Sequence, residues 1–141
     1  MSRAGFVREG AGIRRASHRL QLPPHLQAAG ERLRLAISSN PFDPPSRGQL
    51  VPDAIAQQAL KFLVANHEAV EIGPDVILST EAWHRATDKI RQHIQRHGPA
   101  TVSELKVAVG SSRRIMVPLL ERLDRDGITR RDGDRRSLRD A

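Results

Sequence analysis

The run from Ser111 to Arg139 constrains the fold more than any other part of the chain. Ile115, Leu119 and Leu123 recur every four positions, with Met116 and Leu120 beside them. That spacing predicts an amphipathic helix with one apolar stripe to bury. Gly127 stands where such a helix closes on a left-handed residue. The pattern then shortens to strand-like segments around Asp132-Gly133, the mark of a β-hairpin. A helix running straight into a hairpin has an apolar side on each, and both sides need further helices to cover them.

The charges in this run are as informative as its apolar positions. Arg113 and Arg114 fall in the first helical turn, where the helix dipole disfavours cations. An anion bound at the free N–H groups of that turn would offset the cost. In the hairpin, a two-residue loop at Asp132-Gly133 sets Arg130 opposite Arg135. A three-residue loop from Asp132 to Asp134 sets Arg131 opposite Arg135 and Arg130 opposite Arg136. The second register is preferred, because it also brings Ile128 and Leu138 onto one face. Either way arginine faces arginine, which destabilises a bare sheet. Clusters of this kind supply phosphate contacts in nucleic-acid-binding proteins.

Upstream, the same order of elements occurs twice. Leu26, Ala29, Leu33, Ala36 and Ile37 mark a helix face that ends near Asn40-Pro41. The prolines after Phe42-Asp43 exclude helix there. Ser46 to Leu50 suits a single turn. A further helix runs from about Asp53 to Ala65, with Ile55, Ala59, Phe62 and Leu63 inward. Two short strands then flank Gly73-Pro74-Asp75. In the second copy Thr80 caps a helix with Trp83, Ala86, Ile90 and Ile94 inward, stopped by His97-Gly98-Pro99. Thr101 to Glu104 form a capping box. A short helix follows and closes at Gly110, and Ser111 or Ser112 caps the next. Short helix, glycine turn and longer basic helix make a helix-turn-helix. Pro118 inside that last helix predicts a bend near Arg114 to Pro118.

The fold class is therefore mostly α with small β-hairpins (α+β), as tandem winged-helix domains. The domains are 24–80 and 81–141, preceded by a basic segment, 1–23. Residues 5–16 suit a hairpin left from a preceding wing, or a disordered basic tail. Charge divides along these boundaries. Residues 1–23 carry 5 basic and 1 acidic side chains, and residues 24–84 carry 4 and 7. Residues 85–141 carry 14 and 8, a net +6. The last domain is the expected nucleic-acid binder, and the middle one a spacer.

Several chemistries are excluded or unsupported. The chain has no cysteine, so it has no disulfide or thiol chemistry; this fits a cytoplasmic protein. No run of 18 apolar residues predicts a membrane span, and Met-Ser-Arg-Ala-Gly starts no signal peptide. No phosphate-cradling P-loop is present. His93 and His97 have the spacing of a zinc pair but no third ligand, so no metal site is expected. Near a helix end they suit the dipole instead. No catalytic constellation is present, and the expectation is a non-enzymatic chain without a cofactor.

The run from Gly98 to Leu138 resembles the last winged helix of the bacterial selenocysteine-specific elongation factor family, SelB. The family's closing T-R-R-x-G-D-x-R-x-L is matched by Thr129, Arg130, Arg131, Gly133, Asp134, Arg136 and Leu138. Its S-R-K/R helix start is matched by Ser112, Arg113 and Arg114, and its P-L-L-E by Pro118 to Glu121. Asp132 departs from the apolar residue usual in the family, and Ser137 from a β-branched one. Leu105, Ile115 and Leu123 stand where aromatics are frequent.

The resemblance implies an RNA-binding C-terminal piece of a translation factor. It would read a hairpin in selenoprotein mRNA beside a UGA codon. GTP, selenocysteyl-tRNA and ribosome binding would belong to an N-terminal GTPase part. The implied RNA-binding residues are Ser112, Arg113, Arg114, Arg130, Arg131, Arg135 and Arg136, in a monomer. The alternatives are a winged-helix DNA-binding transcription regulator and a protein–protein scaffold. Val117 and Glu121, facing outward on the helix, suit base readout in a DNA groove poorly.

Overall fold

A computed structural model describes residues 21–139. The hairpin expected over residues 5–16 lies outside the described residues. A 3-10 turn, Pro24–Leu26, leads into α1 (Gln27–Ser39), α2 (Arg47–Leu50) and α3 (Ala54–Ala65). Strands β1 (Ala69–Gly73) and β2 (Val76–Ser79) follow, then α4 (Thr80–His97), β3 (Ala100–Thr101) and α5 (Val102–Val109). The last elements are α6 (Arg113–Arg125), β4 (Thr129–Asp132) and β5 (Arg135–Leu138). The chain is mostly helical, with two small antiparallel sheets ordered β1-β2 and β3-β5-β4. It is a tandem winged-helix fold, as expected.

In the first unit Leu26 of the 3-10 turn and Ala29, Leu33 and Ile37 of α1 meet Ala59, Leu60 and Leu63 of α3. Leu22 enters this core too, seated on Gly30. A Cβ there would lie 2.2 Å from the leucine methyl. Ile55 is a correction. It is exposed, and Ala56, Ala59, Leu60 and Leu63 form the buried face instead. Ala59 and Leu63 are buried as expected and Phe62 is half-buried, so only the first position of the stripe moves, from Ile55 to Ala56. A guanidinium–carboxylate pair closes the unit, with Arg34 Nε 2.9 Å from Glu68 Oε1.

The second unit packs α4, α5 and α6 around Ala86, Ile90, Leu105, Ile115, Leu119 and Leu123. All five apolar residues of the predicted α6 stripe are buried. The Thr101–Glu104 capping box forms as expected. The cap of α4 is Ser79, whose hydroxyl accepts from Ala82 N–H; Thr80 instead donates to His67 C=O. Gly110, at φ +80°, makes the left-handed turn from α5 into α6.

The two units share a core. Ile72 and Val76, from the first hairpin, belong to the cluster built on α4 and α6. Pro118 finds its place here. Helix α6 runs unbroken through it, and its Cβ lies 3.2 Å from where a Cβ would stand on Gly73. A glycine in β1 thus admits a helix face flattened by proline. Arg122 adds a bond to Glu71 C=O at 3.0 Å and lies over the Trp83 ring at 5.6 Å.

Candidate nucleic-acid interface

The wing register differs from both expectations. Thr129 pairs with Leu138, Arg130 with Ser137, Arg131 with Arg136 and Asp132 with Arg135. The loop is Gly133-Asp134, with Gly133 at φ +66° in the first loop position. Glycine there suits a II′ turn. Asp132 is drawn into the strand, opposite a cation. Residues directly opposite share a face, so Arg131 and Arg136 point to one side and Arg130 and Arg135 to the other.

Arg136 is the main surprise. The residue is only 4% exposed. Its Nε and Nη2 donate to Asp124 Oδ2 at 3.1 and 2.9 Å. Thr129 Oγ1 donates to the other oxygen of Asp124 at 2.6 Å. One carboxylate near the end of α6 thus ties down both wing strands. The expected repulsion across the wing does exist in the register of Arg131 and Arg136, but Asp124 neutralises one partner. Asp126 likewise balances Arg122, at 3.4 Å.

Of the other candidate residues, Arg113, Arg114, Arg130, Arg131 and Arg135 are exposed. Arg131 Nε donates to Gly133 C=O at 3.0 Å, which holds its side chain along the turn. Arg135 donates to Pro99 C=O at 3.2 Å and lies 3.7 Å from Glu104. Ser112 stands at the N-cap of α6 but does not cap it with its side chain. Its hydroxyl donates to Asp43 Oδ1 at 2.8 Å, and Arg114 reaches the same oxygen at 3.1 Å. Arg114 also bonds Pro44 C=O, and Ser111 bonds Phe42 C=O. The loop after α1 therefore supplies the counter-charge for one of the two arginines at the start of α6. Nothing local in the sequence signals this, since the partners are some 70 residues apart.

Arg113 is left facing a cavity of about 290 Å³. Thr101, Val102 and Ser103 at the start of α5 line it, together with Arg131, Asp134 and Arg136 of the wing. The cavity is thus walled by three arginines, one carboxylate and the residues Thr101 and Ser103, which carry hydroxyls. The Glu104 carboxyl beside it is held below its ordinary range, chiefly by the Thr101 backbone N–H of the capping box, and also by the Thr101 hydroxyl, Arg135 and His93. No group of three His, Cys, Asp or Glu side chains converges among the described residues.

Residues 92–138 match the family model for the winged helix of elongation factor SelB. The resemblance to SelB is borne out. The matched segment spans the latter part of α4 through the wing, so it contains every wall of the cavity. Two solved structures extend the likeness to the fold of both units. The mRNA-binding domain of elongation factor SelB from E. coli, in complex with SECIS RNA, superposes with a TM-score of 0.66 at 18% identity. The match covers 84% of this chain and 99% of that one. A bacterial selenocysteine-specific elongation factor, EF-Sec, superposes with a TM-score of 0.60 at 22% identity. There the match covers 82% of this chain but only 18% of the other. No curated protein sequence matches the chain.

Proposed function

We propose that this chain is the RNA-binding region of a selenocysteine-specific elongation factor, reading an mRNA hairpin beside a UGA codon. The observation that carries this reading is the cavity between the start of α6 and the wing, in the SelB-matched segment. An RNA loop or bulge can splay out a base, whereas a duplex keeps its bases stacked. A cavity walled by Arg113 and Arg131 suits such a base, with the guanidinium groups on its edges or on the flanking phosphates. Arg130 and Arg135, on the other face of the wing, would contact the RNA backbone. The neighbour solved with SECIS RNA supports the same partner. GTP hydrolysis, selenocysteyl-tRNA binding and ribosome delivery would be the work of other parts of such a factor, acting in the cytoplasm.

A gel-shift competition tests the reading. A selenoprotein mRNA hairpin should displace itself from the chain far more effectively than duplex DNA of equal length does. Equal competition by duplex DNA would return the chain to the class of DNA-binding winged helices.

A further inference from the structure

A second basic surface lies on α4, lined by none of the residues that line the cavity at the wing. Arg85, Lys89 and Arg96 recur along one face of this helix, and Lys89, Gln92, His93, Arg96 and His97 line a groove of about 180 Å³ with Ala108. No carboxylate lines it. Among the described residues, no salt bridge engages Arg85, Lys89 or Arg96. The imidazoles of His93 and His97 lie side by side, with ring centroids 4.7 Å apart.

The helix dipole accounts for Arg96 and His97, which fall in the last turn of α4. It does not account for Lys89 or Arg85, because its effect fades beyond that turn. Arg85 and Lys89 are four residues apart, a like-charge spacing that weakens a helix. Both lie against the Phe42 ring of the first unit, at 5.5 and 5.0 Å. That contact fixes the Lys89 ammonium over the ring, while Lys89 also lines the groove. Lys89 and Arg96 are seven residues apart, roughly 10 Å along the helix axis. One small anion cannot bridge that span, whereas successive phosphates of a nucleic-acid strand can meet both cations.

We propose that this face of α4 is a second RNA-binding surface, which takes backbone phosphates of a double-stranded RNA stem. The inference rests on the reading of this unit as an RNA binder, but it concerns a different surface and a sequence-independent contact. Lys89 and Arg96 each neutralise a phosphate, and Gln92, His93 and His97 donate hydrogen bonds between them.

The test uses the whole chain and a loop-free RNA duplex of about 16 base pairs, the span that double-stranded-RNA domains cover. Replacing Lys89→Gln together with Arg96→Gln removes one charge from a half-buried position and one from an exposed position of the helix. Duplex affinity should fall about tenfold or more at 0.1 M salt, and the log–log salt slope should become shallower by about 1.4 to 1.8. Lys61→Gln, an exposed cation on α3 that lines neither surface, should leave duplex affinity largely as it was. Parental duplex affinity and slope in the double variant would overturn the proposal, even where the hairpin still binds through the cavity. So would the absence of duplex binding by the parent chain, or equal competition by polyglutamate. If instead the parent shows no preference for the hairpin while the double variant still loses the duplex, the hairpin reading fails and the α4 surface stands.

Discussion

Replacing Arg136 with alanine should unfold the wing rather than loosen RNA alone. The guanidinium is buried, and its removal leaves Asp124 with only Thr129 Oγ1 as a side-chain donor. Breaking a fully buried ion pair from one side costs about 3–5 kcal/mol. The Asp124 side chain is 23% exposed and keeps one hydrogen bond, so water recovers part of that cost. A destabilisation of about 2–3 kcal/mol is expected, worth roughly 6–12 °C in Tm for a chain of this size. Arg130→Ala is the contrast. That side chain is exposed on the other face of the wing, and its loss should change stability by less than about 0.5 kcal/mol. Urea unfolding of both variants, with Asp124→Asn and the double replacement to close the cycle, measures the coupling directly. If Arg136→Ala unfolds within about 0.5 kcal/mol of the parent, or the cycle shows no coupling, Asp124 does not anchor the wing.

Further expectations follow from the same geometry. Arg113→Gln should make the salt dependence of hairpin binding shallower by about 0.7–0.9, while Arg114→Gln should change it little, because Asp43 already holds that guanidinium; equal effects in the two titrations would refute the division. Gly110→Ala meets no neighbouring atom within 4 Å, so its cost is the left-handed backbone alone, about 1–2 kcal/mol by chemical denaturation; a neutral result would place the turn elsewhere. The lowered Glu104 carboxyl contributes stability that is fully present above the ordinary glutamate range and is lost as the pH falls through its depressed value. Parent and Glu104→Gln should therefore differ in unfolding midpoint at pH 7 and converge in acid; a gap that persists unchanged in acid removes the charge from the account.

Much of the local structure was legible because local rules govern it. The α6 stripe, the Thr101–Glu104 box, the left-handed Gly110 and Gly127, and the repeated order of helices and hairpin all follow from residues within a few positions of one another. The misreadings have specific causes. Ile55 looked like core because an apolar residue near a helix start fits two phases of the stripe. Asp132-Gly133 looked like a hairpin loop because that dipeptide is a strong turn signal. The alternative loop, Gly133-Asp134, places Arg136 against Asp124 and Asp132 opposite Arg135.

By itself, the sequence determined which segments are helix or hairpin, where the charge lies, and which family the last unit resembles. Periodicity, caps and the T-R-R-x-G-D-x-R-x-L signature are local, so one chain suffices to read them. Tertiary structure decided which of the arginines remain available. Arg114 is held by Asp43 from the loop after α1, and Arg136 by Asp124 beneath the wing, leaving Arg113 and Arg131 at the cavity. An ion pair depends on where two side chains meet in space, and a list of charges carries no information about that meeting until helices and strands are packed. The same holds for Pro118 and Gly73, whose fit exists only where the two units share a core.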